Sequence, residues 1–274
     1  FAALNARLNE GGVTHSRSFL TRTGDLVIGD EVKARNVSIT ADGGSLTVTG
    51  RIDASGAKPG SIRLSAKNDL VLTGSAVLDA RGTVLQVDAY GAPDEASNRA
   101  TVELTSAGGT LTLQQGATID VASPDGVRRG RIELNARRVG SDDVAIAAAG
   151  TLNIRGAGSL SINAFRTYQP AGGIIDQALL DGIHQDSDAF INAAIGNGSL
   201  LGRIAGLRAL GDAFHLRPGV ELVSAPGADL RVSGDLNLAG HRYASLNAKT
   251  QRATNYADPF GDGYGSGEAG ALLI

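Results

Sequence analysis

Ile62-Arg63-Leu64-Ser65-Ala66 is the stretch on which the fold turns. It reads apolar, charged, apolar, hydroxyl, small. The same order returns in Val102-Glu103-Leu104-Thr105-Ser106, Ile132-Glu133-Leu134-Asn135-Ala136 and Leu160-Ser161-Ile162-Asn163-Ala164, and Leu246-Asn247-Ala248 echoes its end. Alternation of this kind turns one side of a short strand inward and leaves the other in water.

A second run follows a few residues later: Leu46-Thr47-Val48, Leu70-Val71-Leu72, Leu111-Thr112-Leu113, Leu152-Asn153-Ile154 and Leu230-Arg231-Val232. A third sits behind a Gly or Ser: Ile52-Asp53-Ala54, Leu78-Asp79-Ala80 and Ile119-Asp120-Val121. The steps from Ile39 to Ile62 and from Leu46 to Leu70 set a repeat of 23 to 24 residues, and later steps are longer where turns carry insertions such as Val84 to Arg99. Three strands per repeat, joined by turns bearing Gly, Asp and Asn, predict a coil with three walls. One coil cannot bury its own inner side chains, whereas coils stacked about 4.8 Å apart pair every strand in parallel with its equivalents above and below. The predicted fold is all-β, a right-handed parallel β-helix (solenoid) with a small helical insertion. An antiparallel sandwich would pair successive runs as hairpins and gives no reason for one signature to return at every third run.

The alternation stops between Arg166 and Phe214. Ile175, Leu179 and Ile183 are four apart, Asp186 or Ser187 is placed to cap a segment with Phe190, Ile191 and Ile195, and Ser199 to cap Leu200 to Leu210. This predicts two or three amphipathic helices docked on one flank. The expected organisation is coils over 1–165, a helical insertion over 166–213, and coils resumed over 214–274, cut short at Ala271-Leu272-Leu273-Ile274 after a long turn at Thr250 to Gly270.

The composition agrees with a narrow interior: 42% of the 274 residues are hydrophobic but only 4% are aromatic, so small and branched side chains must fill the core. Absence of Cys excludes a disulfide framework, a cysteine zinc site and a thiol nucleophile. A net charge of −3, with 25 basic residues dispersed among 28 acidic ones, argues against duplex nucleic acid as a partner. No run approaches the length of a membrane span. The chain opens on Phe1 without a leader pattern, so the expectation is an excised piece whose signal lies upstream.

The strand signatures resemble the filamentous haemagglutinin family, large adhesins exported by two-partner secretion. A more specific block comprises Ile175-Asp176-Gln177-Ala178, Leu180-Asp181-Gly182-Ile183-His184-Gln185-Asp186-Ser187, Ala189-Phe190-Ile191 and Ala213-Phe214-His215-Leu216-Arg217-Pro218-Gly219-Val220-Glu221. It is similar to the helical interruption and returning strand of the subgroup that includes biofilm matrix adhesins. Asp69-Leu70, Ile52-Asp53-Ala54-Ser55-Gly56 and Ser233-Gly234-Asp235-Leu236-Asn237-Leu238 share that style. The resemblance implies an interior, rod-forming segment of a secreted extracellular fibre at the bacterial cell surface, serving cell-surface, cell–cell or matrix adhesion. The implied partners are a polysaccharide or a host or bacterial surface receptor, with the outer-membrane transporter engaged by a domain outside this segment. The segment itself is expected to be monomeric.

Several residue sets bear on chemistry. Asp53, Asp79 and Asp120 occupy equivalent positions, as carboxylates of a polysaccharide lyase or hydrolase would, but the insertions are expected to break their stacking and backbone acceptance explains them more simply. Ser65, Thr105, Asn135, Asn163 and Asn247 form a second column, suited to ladders that stiffen the stack. His15, His184, His215 and His241 lack metal-ligand spacing, although convergence of His184 and His215 with an Asp is open. Asp258-Pro259-Phe260-Gly261-Asp262-Gly263-Tyr264-Gly265 fits no calcium-loop spacing and is expected to be a solvated loop. The expectation is a protein that is not an enzyme and carries no metal or cofactor. The alternative is a carbohydrate-binding or carbohydrate-active β-helix, with Tyr256, Phe260 and Tyr264 as candidates to stack on a sugar face, and Tyr90 and Tyr168 as weaker ones.

Overall fold

A computed structural model describes residues 1–238, 240–247 and 267–273. The chain is mostly strand, arranged in parallel sheets, with few helices. The main sheet orders its strands by their place in the chain: Ser16–Thr21, Asn36–Ala41, Ser61–Ala66, Thr101–Ser106, Gly130–Val139, Ala157–Tyr168, Phe214–Leu222 and Ala271–Leu273. A second sheet runs Leu26–Ile28, Leu46–Val48, Leu70–Leu72, Leu111–Leu113 and Ile146–Ala147, and a third Val32–Lys33, Arg51–Asp53, Val77–Asp79, Thr118–Asp120 and Asn153–Arg155. Each strand thus pairs with its equivalent one turn away and never with its neighbour in the chain within these ladders. The arrangement is solenoid-like; the main sheet carries one hairpin besides these ladders, Asp143–Val144 antiparallel to the end of Gly130–Val139.

Register explains the interior. In the main sheet Ile39, Leu64, Leu104, Leu134, Ile162 and Leu216 lie one above another. Leu46, Leu70, Leu111 and Ile146 do so in the second sheet, and Ile52, Leu78, Ile119 and Ile154 in the third. These columns face one another and form a single core with the alanines at the wall ends, Ala41, Ala66, Ala136 and Ala164. The expected pairing of Ile39 with Ile62 is corrected: Ile62 lies opposite Val37, and Ile39 opposite Leu64. The shift is by two residues, which keeps every side chain on its own face and so leaves no trace in the alternation. The first turn is shorter still, Ser16 facing Asn36 and Leu26 facing Leu46.

Helix α1, Ala2–Glu10, precedes the first strand, where only coils were expected. It lies across the lower end of the stack. Asn5 and Asn9 both donate to the Glu31 carbonyl at 2.8 Å and both accept from the Arg17 guanidinium, at 2.9 and 2.6 Å. A stack of coils needs such a cover because its end strand otherwise presents bare backbone and apolar lining to water.

Where the alternation stops, the chain forms α2 (Gln177–Ala194), α3 (Gly198–Arg203) and α4 (Ala205–Arg208). The caps differ from those expected. Asp176 starts α2 by accepting from the Leu179 amide at 2.8 Å, and Asn197 starts α3 by accepting from Ser199 and Leu200. Asp186 and Ser187 instead lie within α2, where they hold it to the main sheet. Arg138, its side chain only 5% exposed, donates to Asp186 at 2.9 Å and Ser187 at 2.8 Å and lies 4.4 Å over the Phe190 ring; Arg166 reaches Asp186 at 2.6 Å. Phe190, Ile191, Ala194, Leu200, Ile204 and Leu207 then enter the same core as the sheet columns. Backbone bonds from Ala148 to Arg203 and from Gly206 to Ala148 close α3 and α4 onto the end of the second sheet.

After the helices, among the described residues, one of the three sheets continues. Phe214–Leu222 and Ala271–Leu273 extend the main sheet, whereas Arg231–Val232 pairs in parallel with Ile174–Ile175 and Arg242–Tyr243 pairs antiparallel with Glu268–Ala269. Ile175, Leu180, Ile183, Val220 and Leu222 form a second, smaller core beneath this part. No helix among the described residues is long and apolar enough to cross a membrane.

Candidate functional site

The outward side chains of the main sheet converge on one feature. They line a shallow groove of about 610 Å³ that crosses the strands from Ser16 to Leu272. Because every strand alternates, its outward residues fall into rows. One row reads Ser38, Arg63, Glu103, Glu133, Ser161 and His215; the next reads Thr40, Ser65, Thr105, Asn135, Asn163 and Arg217. The second is the expected hydroxyl and amide column with two corrections. Asn247 lies outside it, donating to the Asp212 carbonyl, and Arg217 stands at its upper end.

The ladder is bonded vertically. Asn135 donates to Thr105 at 3.0 Å, Asn163 to Asn135 at 2.7 Å, and Arg217 to Asn163 at 2.6 Å. Glu133 accepts from Asn163 at 2.5 Å, from Arg131 at 2.6 Å and from Arg217 at 3.1 Å. Burial pushes the Glu133 carboxyl up, but the Asn163 amide and the two guanidinium groups outweigh it and hold the carboxyl below its ordinary range. Amides that each spend one donor and one acceptor on the turn above and below make the wall stiff.

The three aspartates form a second polar column on the third sheet, and here the expectation is overturned. Asp53, Asp79 and Asp120 pair in register, flanked by Lys33 below and Arg155 above. The insertion between Val84 and Arg99 leaves from a turn and returns to the same height, so it lengthens one coil without shifting the stack. Each carboxylate accepts the amide two residues on, at 3.0 Å from Ser55, 3.3 Å from Arg81 and 3.1 Å from Ala122. Arg51 reaches Asp79 at 2.6 Å, and Arg81 lies 3.5 Å from Asp120. Burial pushes the Asp79 carboxyl above its usual range; the Arg81 amide, Arg81 and Arg51 oppose it, and Asp120 adds to it. Carboxylates committed to turns and to paired arginines hold the coil in shape.

The histidines do not meet as a set. His184 on α2 stacks on His241 with ring centres 4.4 Å apart, and His241 lies 3.3 Å from Asp181; His215 bonds to Glu268. Burial, with His241 beside it, pushes the His184 imidazole down. Among the described residues no group of three or more His, Asp or Glu side chains is placed to hold a metal ion. Tyr168 bonds to Asp186, with burial and that bond raising its phenol to about 12, so it anchors α2. Tyr90 stands 96% exposed in the loop between Val84 and Arg99. Tyr256, Phe260 and Tyr264, like Asp258 to Gly265 as a whole, lie outside the described residues.

Sequence reasoning misses the basic end of the groove, where Arg99 and Arg128 from two turns come beside Arg131 and Arg217. The one local signal is the basic run Arg128-Arg129-Gly130-Arg131; Arg99 and Arg217 stand singly in their stretches, and nothing local brings them to it. No protein-family model matches the chain, and neither a curated protein nor a solved structure matches it.

Proposed function

We propose that this chain is a right-handed parallel β-helix that serves as a rod-forming, non-enzymatic segment of a large secreted bacterial adhesin. The observation that carries the reading is the register of equivalent residues around one apolar interior, interrupted in the main sheet by a single bulge between Gly130 and Arg131. Right-handed crossing is the rule for parallel strands joined within a sheet, which favours that hand here. Bonding of amide to amide and aspartate to arginine between successive turns supplies stiffness rather than a reacting centre. The adhesin reading, its extracellular location and its surface or polysaccharide partners come from the resemblance of the strand signatures and of the block from Ile175 to Glu221 to the filamentous haemagglutinin family.

Excising one whole turn tests the rod. Thr101 lies opposite Ser61, so deleting residues 62–101 joins Ser61 to Val102 in register. The shortened chain is expected to fold, and small-angle scattering is expected to show it shorter by about one strand spacing, ~4.8 Å. Deleting 64–102 joins Arg63 to Glu103, shifts the rest of the strand by one residue so that Glu103 turns inward, and is expected to unfold the chain; equal tolerance of both deletions would overturn the rod. Adhesion is tested on cells displaying the parent with and without residues 16–222. Loss of aggregation at unchanged display is the expected result, and full aggregation without the segment would remove the adhesin reading.

A further inference from the structure

We propose that the basic end of the main-sheet groove binds the carboxylate groups of an acidic polysaccharide. The inference goes beyond the rod reading and does not rest on it.

The recess at this end, of about 460 Å³, is lined by five arginines against two glutamates, in a chain whose net charge is −3. A local excess of positive charge on a negative molecule is a specific arrangement, since the rest of the surface repels the same ligand. Arg129 builds the wall. Its side chain is buried and binds Glu95 at 2.9 Å and Asp125 at 2.7 Å, so it ties the insertion between Val84 and Arg99 to the turn that carries Arg128. Arg131 and Arg217 form the floor, and both lean on the one carboxylate of Glu133. Arg99 and Arg128 complete the rim. Both are exposed, and neither guanidinium has an ion-pair or hydrogen-bond partner among the described residues. Two forked cations therefore stand ready over a floor of two more, held by a framework that is already bonded.

Guanidinium forks match planar carboxylates with two parallel bonds. The recess opens into the longer groove through the shared residues Arg131, Glu133 and Arg217. Beyond it the groove offers Asn36, Ser61, Thr101 and the Arg63–Glu103 pair, a mixture of donors and acceptors. Sugar hydroxyls, which both donate and accept, satisfy such a surface. A chain charged at every unit, phosphate or uronate, meets Glu103 and Glu133 along the floor and is repelled there. A charged sugar anchored at the basic end with its neighbours along the strands is the ligand that fits both halves.

The test is titration of the full chain with fluorescent galactan oligomers that end in a single galacturonic acid. Saturable binding that weakens as salt is added is expected. R99E/R128E is expected to weaken it by roughly a hundredfold, about tenfold for each charge-assisted hydrogen bond removed, and R99Q/R128Q by less. Both residues are exposed, and an unchanged thermal transition in either variant shows that the fold is kept. Absence of binding, equal binding of a neutral galactan, tighter binding of poly(dT), or binding unaffected in the folded variants would each overturn the proposal. None of these outcomes touches the rod reading, whose tests use length and adhesion.

Discussion

Two regions of the molecule enclose the same dry interior by different means. Between Leu26 and Arg155 three parallel sheets surround it. Above that level, among the described residues, the main sheet continues without the other two, and α2, α3 and α4 stand beside it. The side chains record the difference. From Leu26 to Arg155 the only aromatic residue is Tyr90, out in solvent, whereas the buried or half-buried rings of Phe19, Phe190, Phe214 and Tyr243 all lie below or above. Three walls at strand spacing leave room for Ile, Leu, Val and Ala, while a helix facing a sheet stands farther off and needs larger groups to close the gap. The core demand is constant and the local geometry sets the residue size.

If the helices serve as walls, truncations on the two sides should cost alike. Leu104→Ala in the three-walled part and Ile191→Ala on α2, both fully buried, are each expected to lose about 3 to 4 kcal/mol in urea titration. They should shift one shared transition, because both side chains belong to one core. Two separate transitions, or a cost near zero for Ile191→Ala, would break the equivalence. Arg138→Ala examines how the helical wall is held. Its loss is expected to cost about 3 kcal/mol, at the lower end for a buried ion pair because Asp186 keeps Arg166 and Tyr168.

Gly206 probes the seam itself. A Cβ there would collide with the carbonyl oxygens of Gly150 and Ala148, so Gly206→Ala forces α4 off the second sheet and is expected to cost about 2 kcal/mol, with faster amide exchange at Ala148. Smaller again is Asn163→Ala on the outer wall, about 1.5 kcal/mol, since the bonds to Asn135 and Arg217 are lost with the donor to Glu133, which Arg131 and Arg217 still hold.

The finest contrast is in pH. Glu133 has a depressed pKa in the fold, so its stabilisation is present above the ordinary carboxylate value and is lost as pH falls through the depressed one. Asp79 has a raised pKa, so its charged form carries a penalty that is full above the raised value and is relieved as pH falls toward the ordinary one. Glu133→Gln is therefore expected to destabilise at neutral pH and to converge with the parent in acid. Asp79→Asn should be neutral or stabilising at neutral pH and lose that advantage in acid. Thermal melts from pH 7 to pH 3 read both, and the same sign for the two variants would refute the assignment.

Much of the wall structure is legible in single strands. Alternation in Ile62 to Ala66 and its relatives is a local property, because burial of one face is imposed on every residue pair of a strand. The helices are legible as a change of period, though their caps are not: Asp186 looks like a start signal and is used as the partner of Arg138, a residue 48 positions away. The register is less legible. A slip of two preserves the pattern, so Ile39 aligns with Ile62 on the pattern alone, whereas backbone pairing and turn length match it to Leu64. The aspartate column misleads for the same kind of reason, since an insertion's length in sequence says nothing about whether its ends return to one level.

The sequence by itself determined which side chains face inward, that three runs make one turn, and where strands give way to helices, because each depends on the chemistry of neighbouring residues. Only the tertiary structure decided the vertical register, the place of the helices beside the main sheet, and the meeting of Arg99, Arg128, Arg131 and Arg217 at one end of a groove. Apart from Arg128 and Arg131, which share one short run, those are distances between residues far apart in the chain, and they are set by how turns stack and close, which no local pattern encodes.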